Sequence, residues 1–165
     1  MFQLKPLSKE AIPGALARAE RYRLLNEPWE AQSICEDVLR VEPGNQPALI
    51  MLLLALTEQF DQGINVQSVS EALAGIRGDY ERHYYSGIFY ERRAASFMRQ
   101  GDYRSGSVVF ELVREAMRCY ERAESIRPAG NDDAVLRWNT CVRLLERSPY
   151  LQPAREERAE PILSE

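Results

Sequence analysis

Several residue types that carry much of protein chemistry are scarce in this chain. Histidine occurs once, at His83, lysine twice, at Lys5 and Lys9, and cysteine three times, at Cys35, Cys119 and Cys141. The cysteines form no CxxC pair, and an odd number cannot all close into disulfides within one chain, so a reducing, cytoplasmic setting is expected. A lone histidine offers no Cys/His ligand spacing, and neither a glycine-rich phosphate loop nor a strand-turn-helix nucleophile elbow accompanies it. His83 therefore reads as an ordinary helix residue, and no metal, cofactor or catalytic residue is expected. The acidic pairs Glu36-Asp37 and Asp132-Asp133 are adjacent, and helical neighbours point about 100° apart, so neither pair converges on one substrate as acid and base. Long apolar runs are missing too. The longest, Ala48 to Leu56, has nine residues, where a membrane span needs about 20. It reads as a buried helix segment, and the first ten residues show no apolar stretch of the kind a secretory leader carries.

What is present is a chain of 165 residues, 45% hydrophobic and 28% charged, with a net charge of −4. That balance is globular, not disordered. Beneath it lies a skew: 19 of the 21 basic residues are arginine. Residues 1–76 carry a net charge of −4, residues 77–147 carry +2, and residues 148–165 carry −2. The acidic whole disfavours general nucleic-acid binding. Coding bias in a GC-rich bacterial genome and local i,i+3 pairing, as in Glu115 with Arg118, account for part of the arginine.

Helix punctuation dominates and alternating β-branched runs are nearly absent, so the chain reads as all-α with about seven helices. The expected spans are Ile12 to Leu25, Pro28 to Val41, Gln46 to Asp61, Val66 to Arg77, Tyr80 to Arg99, Arg104 to Ser125, and a last helix over 131–147. Asn45, Asp79 and Asp132 or Asn131 are candidate caps. Residues 1–11 form an N-terminal extension, and from Ser148 three prolines punctuate a polar tail expected to be mobile.

The second and sixth helices repeat one pattern. Ala31, Cys35, Val38 and Pro43 are spaced by 4, 3 and 5, and so are Ala116, Tyr120, Ala123 and Pro128. In the helices before them, Tyr22 follows Ala19 by three and Phe97 follows Ala94 by three. Together with the turn Gln100-Gly101-Asp102-Tyr103, this resembles the tetratricopeptide repeat, a helical hairpin of about 34 residues with small residues where its helices touch. The resemblance implies antiparallel hairpins stacked as a short right-handed superhelix. Its units would be 12–45, 46–78 and 80–129, with helix 131–147 as the cap that such stacks need. Early in each first helix the family's tryptophan and leucine are replaced by Ala15 and Arg18, and by Tyr90 and Arg93, and the middle unit shows no clean motif.

Members of that family take ligands on the concave surface of the first helices, so the resemblance implies a protein or peptide partner and no catalysis. By helical phase that surface presents Arg23, Glu58, Tyr84, Ile88, Arg92 and Arg99, with Arg137 and Arg143 from the last helix. Arginine grips carboxylates bidentately, which suits an acidic or C-terminal peptide segment. The aromatic stretch Tyr80 to Phe97 leaves Tyr85 and Phe89 among charged residues. Either the long sixth helix covers them or they line a ligand groove. Alternative readings are a nucleic-acid-binding helical domain and a homo-oligomerisation module. The small residues at the helix contacts carry a first prediction: Ala31→Leu or Ala94→Leu should overpack its site by about 1–3 kcal/mol, read as a lowered thermal midpoint. A melt unchanged in both variants would remove the packing assignment.

Overall fold

The computed structural model describes residues 2–101 and 106–154. Within them the chain is all-helical, with seven α-helices and no strand. They are α1 (Ile12–Leu24), α2 (Pro28–Val41), α3 (Gln46–Thr57), α4 (Val66–Ala74), α5 (Asp79–Gln100), α6 (Gly106–Ser125) and α7 (Asp133–Arg147). Short 3-10 turns, Lys9–Ala11 and Phe60–Gln62, precede α1 and follow α3. Residues 102–105, which hold part of the expected turn and the start of the sixth helix, lie outside the described residues, as does the tail from 155 onward.

Local chemistry accounts for most helix ends. Prolines stand in the first turns of α1, α2 and α3, where the missing N–H has no helical partner to lose. The Asn45 side chain accepts from the Ala48 N–H at 2.9 Å, and the turn before α2 places Asn26 in the left-handed region at φ 60°. Two helices end earlier than their sequences suggest. Helix α3 stops at Thr57 instead of Asp61, as Thr57 Oγ1 and Gln59 Nε2 donate back to the carbonyls of Leu54 and Ala55, and Gly63 then turns at φ 82°. Helix α4 stops at Ala74 instead of Arg77 because the Gln46 side chain captures both the Gly75 carbonyl and the Arg77 N–H. At α5 the expected cap differs, since Gly78, not Asp79, is the cap. At α7 the cap residue is Asp132, one of the two expected, but its side chain makes no capping bond; Asn131 Oδ1 instead accepts from the Asp133 N–H while also receiving the Tyr80 hydroxyl.

Each helix packs on its sequence neighbour, except that α4 and α5 touch only lightly, and α3 also meets α1 and α5. Eight positions of the repeated pattern lie at these contacts, Ala19, Ala31, Cys35, Val38, Ala94, Ala116, Tyr120 and Ala123 each being 0% exposed, while Tyr22 and Phe97 are half-buried and Pro43 and Pro128 are exposed. Ala55 of α3 joins Ala19, Ala31 and Cys35 in one cluster, so the middle hairpin contributes the small residue that its sequence did not announce. Helices α5 and α6 are longer than the first pair, running for 22 and 20 residues against 13 and 14 in α1 and α2. Phe89 is covered, yet not by α6. It packs edge-on against Phe60 at 6.0 Å and belongs with Leu53, Leu56 and Val69 of the α3–α4 layer. The segment after α7 is not free of the body at its start, since Leu151 is buried against the α5–α6–α7 core.

The most extensive helix contact is between α5 and α6. Tyr120 is wholly buried, and its ring lies on the backbone of α5 at Gly87, where a Cβ would stand 2.7 Å from Cδ1 and Cζ. Alanine at 87 gains about 1 kcal/mol of helix propensity, but the ring has no slack to yield. Gly87→Ala should therefore destabilise the protein on balance, by about 1–3 kcal/mol in urea denaturation. A stabilised variant would show that the α5–α6 contact is looser than this.

Candidate functional site

Helices α1, α3, α5 and α7 contribute to one face, and two carboxylates organise it. Glu58, at the end of α3, takes Arg23 of α1 in a fork, with Nη2 at 2.5 Å from Oε1 and Nε at 3.1 Å from Oε2. The same Oε1 receives Arg92 Nη2 of α5 at 3.2 Å. Arg92 spends its other terminal nitrogen on the Leu54 carbonyl and on Thr57 Oγ1, at 2.9 and 2.7 Å. The second carboxylate is Glu91. It accepts Arg137 Nη1 of α7 at 3.1 Å and the Tyr120 hydroxyl of α6 at 2.6 Å. Glu91 and Arg92 are neighbours on α5, so they point about 100° apart. One faces α6 and α7 and the other faces α1 and α3, and α5 carries the pairing across the face.

Electrostatics follow from this burial. Desolvation lowers the Arg92 pKa, and Glu58 opposes that shift. Desolvation also works against the Arg137 cation, but Glu91 and the neighbouring Tyr84 hydroxyl outweigh it and raise the Arg137 pKa. The Tyr120 phenol is pushed far up by burial, then by Glu91. Tyr84 is gripped by aromatic rings: it stacks on Tyr80 at 5.9 Å, meets Tyr85 edge-on at 5.1 Å and leans on Tyr120 at 6.0 Å. The thiols are the other nucleophilic candidates. Burial pushes Cys35 and Cys141 up to about 12 and shifts Cys119 in the same direction, so all three are held as unreactive thiols near neutral pH. Among the described residues no group of His, Cys, Asp and Glu is placed to hold a metal ion, and no helix is long and apolar enough to cross a membrane.

The structure thus brings together five of the residues that the sequence nominates: Arg23, Glu58, Tyr84, Arg92 and Arg137. Three others do not join them. Ile88 is buried in the α5–α6–α7 core, because its phase on α5 turns it toward α6. Arg99 lies beyond the ladder and pairs with Asp61 at 2.5 Å, next to the Ser96 hydroxyl on the same carboxylate. Arg143 is exposed and lies roughly 120° around α7 from Arg137, six residues on. The open arginine row expected for a partner's carboxylates is largely occupied by the protein's own Glu58, Glu91 and Asp61. Glu91 itself is the residue missed in the sequence, although it follows Tyr84 by seven and so shares its helical arc. No family model, no curated protein and no solved structure matches the chain.

Glu58 serves two guanidinium groups whose side chains are 16% and 22% exposed, so removing its charge leaves both poorly paired. Glu58→Gln should cost about 1–3 kcal/mol in urea denaturation at low salt. A loss under about 0.5 kcal/mol would place this ladder among surface pairs of no consequence.

Proposed function

We propose that the chain is a non-catalytic cytoplasmic adaptor of tetratricopeptide-like build, its hairpins stacked as a short right-handed superhelix, which holds a peptide or protein partner on the face shared by α1, α3, α5 and α7. The observation that carries this reading is the ladder itself. Arg23, Glu58, Arg92, Glu91 and Arg137 alternate in sign and are fixed by one another, at partial exposure. Side chains already ordered lose little entropy on binding, which is what a recognition surface needs. Three guanidinium groups against two carboxylates leave the ladder with one excess positive charge. Arg137 is its most open member, 37% exposed, and contacts Glu91 through one nitrogen. An acidic side chain or C-terminal carboxylate of the partner docks there, alongside the Tyr80–Tyr84 stack.

The test is affinity capture from lysate with wild type, Arg137→Gln, and Arg118→Gln as an off-face control. Partners should be lost from the Arg137 variant alone. With a captured partner in hand, its affinity should fall about tenfold in Arg137→Gln and weaken as salt is raised. Identical partner sets for all three proteins would overturn the assignment of this face.

A further inference from the structure

Another face carries a feature that the ladder does not use. Helices α2, α3 and α4 bound an open groove of about 340 Å³ lined by Gln32, Glu36, Leu49, Leu52, Leu56, Ser68, Glu71 and Ala72. Leu49, Leu52 and Leu56 lie at i, i+3 and i+7 on α3 along a floor about 10 Å long; Leu49 and Leu56 are only 7% and 3% exposed, so half-buried Leu52 presents most of its accessible apolar surface. Every titratable group in the lining is a carboxylate, Glu36 on the α2 wall and Glu71 on the α4 wall. Both are exposed, and neither has an ion pair among the described residues, whereas Glu58, Glu91 and Asp61 all do. Each accepts only from a glutamine four residues earlier.

The Glu36 side is a built arrangement rooted in the core. Gln59 is 2% exposed. Its amide donates to the Ala55 carbonyl and to Gln32 Oε1 at 2.9 Å, which fixes the Gln32 amide so that its N–H donates to Glu36 at 2.8 Å. The carboxylate is thereby oriented from beneath. Arg40, one turn further along α2, is not part of the lining.

We infer that this groove is a second docking site, and that its occupant is a short basic segment of a partner protein with aliphatic side chains flanked by Lys or Arg. The aliphatic side chains settle on Leu52 and the exposed edges of Leu49 and Leu56, and the cations on either side meet Glu36 and Glu71. This complementarity is opposite in sign to that of the ladder, so the two surfaces select different ligands and are tested separately.

The experiment uses two fluorescein-labelled peptides of about ten residues, one of leucine and lysine at helical spacing and one with glutamate in place of lysine, followed by anisotropy on the full chain. The leucine–lysine peptide should bind and the glutamate peptide should not. The double variant Glu36→Gln, Glu71→Gln changes only exposed groups and should weaken binding about fivefold at low salt. A control of equal charge change, Glu111→Gln with Glu146→Gln, and the ladder variant Arg137→Gln should both bind as wild type does. No binding of the basic peptide, equal binding of both peptides, or equal loss in the control would overturn the proposal. Sedimentation of the same proteins completes the test. Self-association of the wild type that disappears in Glu36→Gln, Glu71→Gln would mean that a second copy fills the groove, which overturns the basic-segment assignment.

Discussion

Two part-buried carboxylates set the relation between the hairpins. Glu58 and Glu91 are each shared between helices that are distant in sequence, and together they reach α1, α3, α5, α6 and α7. A charge taken partly out of water is tolerated only when opposite charges and hydrogen bonds replace its hydration. Here each carboxylate has at least two donors, and among the described residues no buried side-chain nitrogen or oxygen is without a partner. Apolar packing favours association of the hairpins, and any packing that left Glu58 or Glu91 without these donors would carry the desolvation cost of an unpaired carboxylate.

The core sets alanines beside larger side chains at the helix contacts. Alanines at positions 19, 31, 55, 94, 116 and 123 are all fully buried and let helix axes approach closely. The matching positions Cys35 and Tyr120 differ greatly in size, and the difference is absorbed locally. Tyr120 finds its space over Gly87 and its hydroxyl reaches Glu91. A buried phenol needs a polar partner, so the choice of tyrosine in the long hairpin and the placement of Glu91 belong to one solution. The same residue thus completes the packing of α5 on α6 and anchors the polar face.

The helical class and most helix starts were legible because they depend on proline, asparagine and apolar periodicity within a few residues. The ends of α3 and α4 were not. Gln46 ends α4 from 29 residues away by taking the Gly75 carbonyl, an effect no local window contains. The same distinction governs the site. Arg23, Glu58, Arg92 and Arg137 were found by helical phase, since phase fixes which arc a side chain occupies. Phase does not say what covers that arc, and so Ile88 was placed on a surface and is in the core, while the cover over Phe89 comes from Phe60 and not from α6. Nor does phase show that the arginine row is met by the chain's own acids, which requires the distances between helices.

The scarcity of lysine takes on a structural meaning at the ladder. Arg23 uses Nε and Nη2 on one carboxylate, and Arg92 divides Nη1 and Nη2 among a carbonyl, a hydroxyl and a shared carboxylate. Such division needs donors spread over a rigid plane. An ammonium group concentrates its donors on one atom and is more strongly hydrated, so it could satisfy Glu58 or the Leu54–Thr57 pair but not span both. At positions such as Arg143 the side chain is exposed and any cation would serve. At Arg23 and Arg92 it would not, because there the geometry of the guanidinium group allows one glutamate to join three helices.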